Sequence, residues 1–178
     1  MTQPLEVPIQ GVVLVRLSNH DDDRGSLTET WRREWVPGSA EMVQANLSGS
    51  RAGVLRGLHV HGEQADYWCV LSGTVFVGLF DLRRGSPSEG TKAEVRIDTE
   101  VERLGLYIPP GVAHGFFAET EVLLQYLVDR VFTGQDEFGL AWNDPDVAIA
   151  WPTAEPQVSA RDLANPSLAD APRFAYRG

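Results

Sequence analysis

Three of the four histidines fall in two short segments. His59 and His61 lie in Leu55-Arg56-Gly57-Leu58-His59-Val60-His61, and His114 closes Ile108-Pro109-Pro110-Gly111-Val112-Ala113-His114. Imidazole titrates near neutrality and also ligates transition metals, so these residues can move protons or hold an ion. Side chains alternate along a strand, so His59 and His61 share one face if their segment is extended. If that face lines a barrel interior, both rings enter one cavity. His114, on a later strand, would join them. The grouping points to a site rather than to three separately satisfied rings. His20, in Asn19-His20-Asp21, is expected to be a solvated loop residue.

The elements that must carry this cluster read as strand after strand. Residues 11–17 form an apolar run rich in β-branched side chains. Segments 54–60, 67–71, 74–80, 93–97, 105–108 and 122–128 follow, several with period-two alternation. Between them sit turn signals at Ser72-Gly73, Arg84-Gly85-Ser86-Pro87, Pro109-Pro110-Gly111 and Thr133-Gly134. No long segment has helical periodicity. Short helical turns are expected near 29–35, 88–90 and 159–163. Many short strands with Gly/Pro turns predict an all-β sandwich or barrel.

Composition narrows the function classes. The 178 residues suit one domain, with residues 1–10 as an N-terminal arm and 151–178 as a Pro/Ala-rich extension packing over the barrel. Asp and Glu number 25 against 15 Lys and Arg, for a net charge of −10. So acidic a chain lacks the basic surface for general nucleic-acid or anionic-membrane binding. A few placed arginines could still hold one anionic small molecule. The single cysteine, Cys69, excludes an intrachain disulfide and cysteine-rich metal sites, and reads as a small core residue. The N-terminus shows no secretory pattern, and no stretch approaches the roughly 18 apolar residues of a membrane span. The expectation is a soluble, cytoplasmic protein.

The ordered motifs resemble the dTDP-4-dehydrorhamnose 3,5-epimerase family of cupins over nearly the whole chain. They begin with Asp23-Arg24-Gly25 and Glu29, Gln44-Ala45-Asn46-Leu47-Ser48 and Leu55-Arg56-Gly57-Leu58-His59. Asp81-Leu82-Arg83-Arg84-Gly85-Ser86-Pro87 and the His114 segment through Gly115-Phe116 come next. Tyr126, Trp142-Asn143-Asp144-Pro145, Ile149-Ala150-Trp151-Pro152 and Ser159-Ala160-Arg161-Asp162 close the series.

The resemblance implies an antiparallel jelly-roll barrel, a homodimer and a nucleotide-diphosphate sugar substrate. It implies epimerisation beside the C4 ketone of a dTDP-4-keto-6-deoxyhexose, at two carbons or one. Such chemistry needs a base on one face, an acid on the other and a partner for the enolate oxygen. The family match gives His59 as base, Asp162 as its carboxylate partner and Tyr126 as acid. It gives Arg24 and Arg56 to the diphosphate, and Gln44, Asn46 and Glu29 to the nucleotide. His61, Asp66 and His114 are expected to contact substrate, and Trp142 to stack on a base or sugar. The N-terminal arm is expected to extend a partner subunit's sheet. No cofactor is expected on this reading.

Two departures fall in one loop. The family usually has Gln where His61 stands and an essential Lys where Asp66 stands. The loop from His59 to Asp66 is also shorter than the family's. An Asp in place of Lys inverts the local charge. The same residues follow metal-cupin spacing: Gly53, His59, His61, Asp66 and Gly73 match the first motif, and Pro109, Gly111 and His114 the second. His59, His61, Asp66 and His114 would then ligate one divalent ion, with open positions. His59 cannot be both that ligand and the free base. His-x-His spacing also resembles the dTDP-sugar 3,4-ketoisomerase cupins. An epimerase, a ketoisomerase-like enzyme, a metal-dependent cupin and a non-catalytic sugar-nucleotide binder therefore stay open on sequence alone.

Overall fold

The computed structural model describes residues 4–177. β1 (Pro4–Leu5) pairs antiparallel with β2 (Val13–Arg16). β3 (Asn19–Asp22) and β4 (Gly25–Thr28) make a separate hairpin. A 3-10 turn at Arg33–Trp35 leads to β5 (Gln44–Ser50) and β6 (Val54–Val60). β7 (Asp66–Ser72), β8 (Thr74–Asp81), β9 (Arg83–Arg84), β10 (Lys92–Asp98), β11 (Leu104–Ile108), β12 (Val112–Ala118) and β13 (Val122–Val128) follow. β14 (Phe138–Gly139), β15 (Gln157–Val158), α1 (Ala160–Leu163) and β16 (Phe174–Ala175) complete the chain.

The strands form two main sheets. One runs β1-β2-β11-β7-β13-β5 and the other β10-β8-β12-β6-β14, with antiparallel pairing throughout both paths. Inward-facing Trp68, Val70, Leu106 and Leu124 of the first sheet pack with Val75, Val77, Leu79 and Phe116 of the second. Each such side chain contributes about 1.5–3 kcal/mol of burial. The expected all-β jelly roll is therefore the fold. Cys69 is buried among Val15, Leu17 and Tyr67, as its apolar neighbours required.

Some local expectations change. The described part of the N-terminal arm, β1, pairs with β2 of its own chain and forms the edge of that sheet, and Leu5 packs against the core. Residues 1–3 of that arm lie outside the described residues. His20 sits in a strand rather than a loop, although exposed as expected. β5 lacks a β-branched run, yet its side chains alternate half-buried and exposed. Residues 88–90 form only a turn. The 159–163 segment does make a helical turn, capped where the Asp162 N–H donates to Ser159 Oγ.

The C-terminal extension packs back onto the sheets. β15 adds to β6 in parallel and β16 adds to β9. The Asp81-to-Ser88 segment proves structural. Fully buried Asp81 accepts from Arg83 Nε and Nη2, Ser86 Oγ and Ser88 Oγ. Arg83 Nη2 and Ser88 Oγ in turn bind the Gln10 carbonyl and N–H.

Candidate active site

A cavity of about 410 Å³ opens between the two sheets. Its size lies within the ordinary small-molecule range. Strand register explains its lining. Gln44, Val128 and Asp66 stand in one row across β5-β13-β7, and Asn46, Tyr126 and Trp68 stand in the next. All six face the cavity. The opposite wall comes from β6 and β12, where His59 pairs with His114 and Arg56 with Phe116.

His59 is half-buried, and its Nε2 lies 2.9 Å from Asp162 Oδ1. A carboxylate only accepts, so Nε2 carries the shared proton, and the lone pair of a neutral ring falls on Nδ1. Asp162 is buried and also accepts from the Gly57 N–H at 3.2 Å. Burial alone would raise its pKa, but the hydrogen bonds from His59 and Gly57 prevail and hold the carboxyl below its ordinary value. Gly57 has φ +115°, and a Cβ there would meet the His114 carbonyl oxygen at 2.7 Å. Only glycine brings this N–H to Asp162 without displacing β12.

Tyr126 enters from the other sheet. Burial, then the charges of Asp66 and Glu137, push its hydroxyl above the ordinary value, so the proton stays on at neutral pH. The cavity thus has a free imidazole nitrogen on one wall and a protonated phenol on the other.

His61, Asp66 and His114 form a buried group, with one donor atom from each within 4.8 Å of the others. His61 Nδ1 donates to the Asp136 carbonyl at 2.6 Å, and His114 Nδ1 to the Val112 carbonyl at 2.9 Å. Burial drives His114 down to about 4 against the opposing charge of Asp66, so the ring is neutral at pH 7. Asp66 accepts from Gln64 Nε2 at 2.8 Å and Trp68 Nε1 at 3.2 Å. The Asp136 carboxylate accepts three successive N–H groups, from Gly62, Glu63 and Gln64, and so pins the short loop before Asp66.

This corrects the four-ligand set expected from motif spacing. His59 is not part of the group, because its ring is turned to Asp162. Three further residues fall outside the cavity. Arg24 is exposed on the β3–β4 hairpin and paired with Asp22, while Glu29 beyond it pairs with Arg32. The Arg24 side chain points into solvent because the hairpin forms its own sheet apart from the two main ones, and Glu29 is half-exposed. Trp142 is also absent from the lining; its carbonyl accepts from Trp151 Nε1. Sequence reasoning missed Gln64, Trp68, Ser48 and Arg161 as lining residues. The alternation Gln64-x-Asp66-x-Trp68 was the signal for two of them.

The family model described as dTDP-4-dehydrorhamnose 3,5-epimerase matches residues 6–170. The chain belongs to this family. It is 36% identical over 176 residues to dTDP-4-dehydrorhamnose 3,5-epimerase of Mycobacterium tuberculosis (strain CDC 1551 / Oshkosh), covering 93% of this chain and 87% of the relative. It is also 36% identical over 171 residues to dTDP-4-dehydrorhamnose 3-epimerase of Streptomyces niveus, covering 92% and 82%. A crystal structure of dTDP-6-deoxy-D-glucose-3,5-epimerase from Legionella pneumophila Philadelphia 1, in complex with dTDP-4-keto-L-rhamnose, superimposes with a TM-score of 0.92 at 28% identity over 100% of both chains. The His59–Asp162 pair stands on the β6 wall and Tyr126 on the β13 wall.

Proposed function

We propose that this protein is a nucleotide-sugar epimerase acting on a dTDP-4-keto-6-deoxyhexose, at both carbons beside the C4 ketone or at one of them. Family membership supports this reaction class, and relatives named 3,5-epimerase and 3-epimerase support the two regiochemistries. The observation that carries it is the His59–Asp162 pair on one wall facing Tyr126 on the other.

The proposed steps follow from that arrangement. His59 Nδ1 removes the proton from a carbon beside the ketone, and the electron pair moves to the ketone oxygen. Asp162 stabilises the imidazolium that forms. Tyr126 returns a proton to the opposite face of the carbon. The exposed rim guanidiniums of Arg56 and Arg161 suit a diphosphate. Gln44, Asn46 and Ser48 offer hydrogen bonds to the nucleotide from the edge strand.

The enzyme works without an organic cofactor on this reading. Exposed Leu47 on edge strand β5 fits the expected homodimer. A single reduced, buried cysteine fits the cytoplasm; no helix among the described residues is long and apolar enough to cross a membrane.

The test is solvent-deuterium exchange into a dTDP-4-keto-6-deoxyhexose followed by mass spectrometry. Wild-type protein should incorporate deuterium beside the ketone, and His59→Ala should abolish it. Wild-type exchange in a folded His59→Ala protein would overturn the assignment of the base.

A further inference from the structure

We propose that His61, Asp66 and His114 bind one divalent transition-metal ion of the zinc class inside the cavity, beside the His59 base. Three donor atoms, one from each residue, lie within 4.8 Å of one another, and all three side chains are more than nine-tenths buried. Bonds of about 2.0–2.1 Å place tetrahedral ligand atoms about 3.3–3.4 Å apart, so the widest pair would close by about 1.5 Å, shared between two side chains. His114 Nε2 already lies 3.8 Å from Asp66 Oδ2, too far for a hydrogen bond.

Both imidazoles are prepared as ligands. Each commits its Nδ1 proton to a backbone carbonyl, Asp136 for His61 and Val112 for His114. That hydrogen bond fixes the tautomer and leaves Nε2 with a free lone pair, which is how metal-binding histidines are oriented. Among the described residues neither Nε2 atom has a hydrogen-bond partner.

Asp66 supplies the charge. Its two hydrogen bonds come from neutral donors, Gln64 and Trp68. Among the described residues no Lys or Arg forms an ion pair with it. A buried carboxylate so placed is costly unless a cation compensates it. Two imidazoles and one carboxylate favour a transition metal over calcium or magnesium, and three protein ligands leave positions open to solvent or substrate.

The position of this group gives the ion a use. Asp66 neighbours the Tyr126 row on one sheet, and His114 pairs with His59 on the other. A cation here would neutralise charge building on the ketone oxygen. This role rests on the epimerase reading; the binding itself does not. Nor does it compete with the base, because His59 is outside the ligand group.

The experiment is equilibrium binding to the full chain. Chelator-treated, dialysed protein is titrated with Zn²⁺ by calorimetry and checked by elemental analysis. About one ion per chain is expected. His61→Ala and Asp66→Asn should each weaken binding at least tenfold, while His59→Ala should leave it unchanged. Circular dichroism verifies that each variant is folded, and Co²⁺ absorption in the wild type reports imidazole ligation without any variant. No saturable binding to folded wild type, or wild-type affinity in both His61→Ala and Asp66→Asn, would overturn the site. Deuterium exchange by the apo and reloaded protein tests the electrophile role separately. Equal rates would remove that role and leave the site standing.

Discussion

His59 Nε2 meets Asp162 Oδ1 at 2.9 Å across 103 residues of chain. The contact joins a strand of the second sheet to the first turn of α1, and it sets which imidazole nitrogen is occupied by the carboxylate. Asp162→Asn should therefore leave the fold intact and lower deuterium exchange by roughly 10²–10⁴-fold, through loss of tautomer control and of imidazolium stabilisation. Exchange rates in D₂O at fixed substrate concentration measure this. Loss of less than a factor of about three would mean that Asp162 holds structure only.

Tyr126→Phe should separate two activities. On the proposed mechanism His59 removes the proton, so exchange should persist, while inversion should fall about 10²-fold or more because the opposite wall lacks a donor. NMR of the product resolves exchange with retention from exchange with inversion. Equal losses in both would remove the acid role.

The rim arginine and Trp142 differ in what they should do to binding. Arg56→Ala should weaken dTDP binding by about 10–100-fold, the worth of one charge-assisted hydrogen bond. Trp142→Ala should change the same affinity little, since that side chain is not part of the cavity lining. Calorimetric titration with dTDP compares the two.

Asp81 governs acid stability. Burial pushes its pKa up, but hydrogen bonds from Arg83, Ser88 and Ser86 outweigh this and hold the carboxyl below its ordinary value. A carboxyl depressed on folding stabilises fully above its unfolded pKa, and that stability is lost as pH falls through the folded value. Thermal unfolding should therefore be flat in this respect at neutral pH and decline below about pH 4. Asp81→Asn should cost about 3–5 kcal/mol at pH 7 by stranding Arg83, with a shallower decline in acid.

Gly57→Ala tests the close approach of β6 to β12. The new methyl would meet the His114 carbonyl, at a φ that L side chains rarely adopt. A loss of about 1–3 kcal/mol in denaturant unfolding is expected.

Much of this site could be read from the sequence, and the parts that could not share physical causes. The shared face of His59 and His61 follows from strand alternation, and the all-β class from short apolar runs between Gly/Pro turns. The partnership of His59 with Asp162 has no local signature; only the family resemblance implied it. Motif spacing placed His59 among four ligands, because spacing reports backbone position and not where a ring finds its hydrogen bond. Arg24, Glu29 and Trp142, expected at the substrate on motif position, lie outside this chain's own cavity, because position along the chain does not fix distance within one chain. β5 was missed because Gln44-Ala45-Asn46-Leu47-Ser48-Gly49-Ser50 lacks β-branched residues, and its pairing with β13 supplies what propensity does not.

Asp136 does not line the cavity, yet its carboxylate gathers three amides of the loop and its carbonyl holds the His61 ring. The aim of a group inside the cavity is thus inherited from a residue 75 positions later in the chain. A substitution at position 136 can then disturb the loop that carries His61 without replacing any residue of the cavity lining.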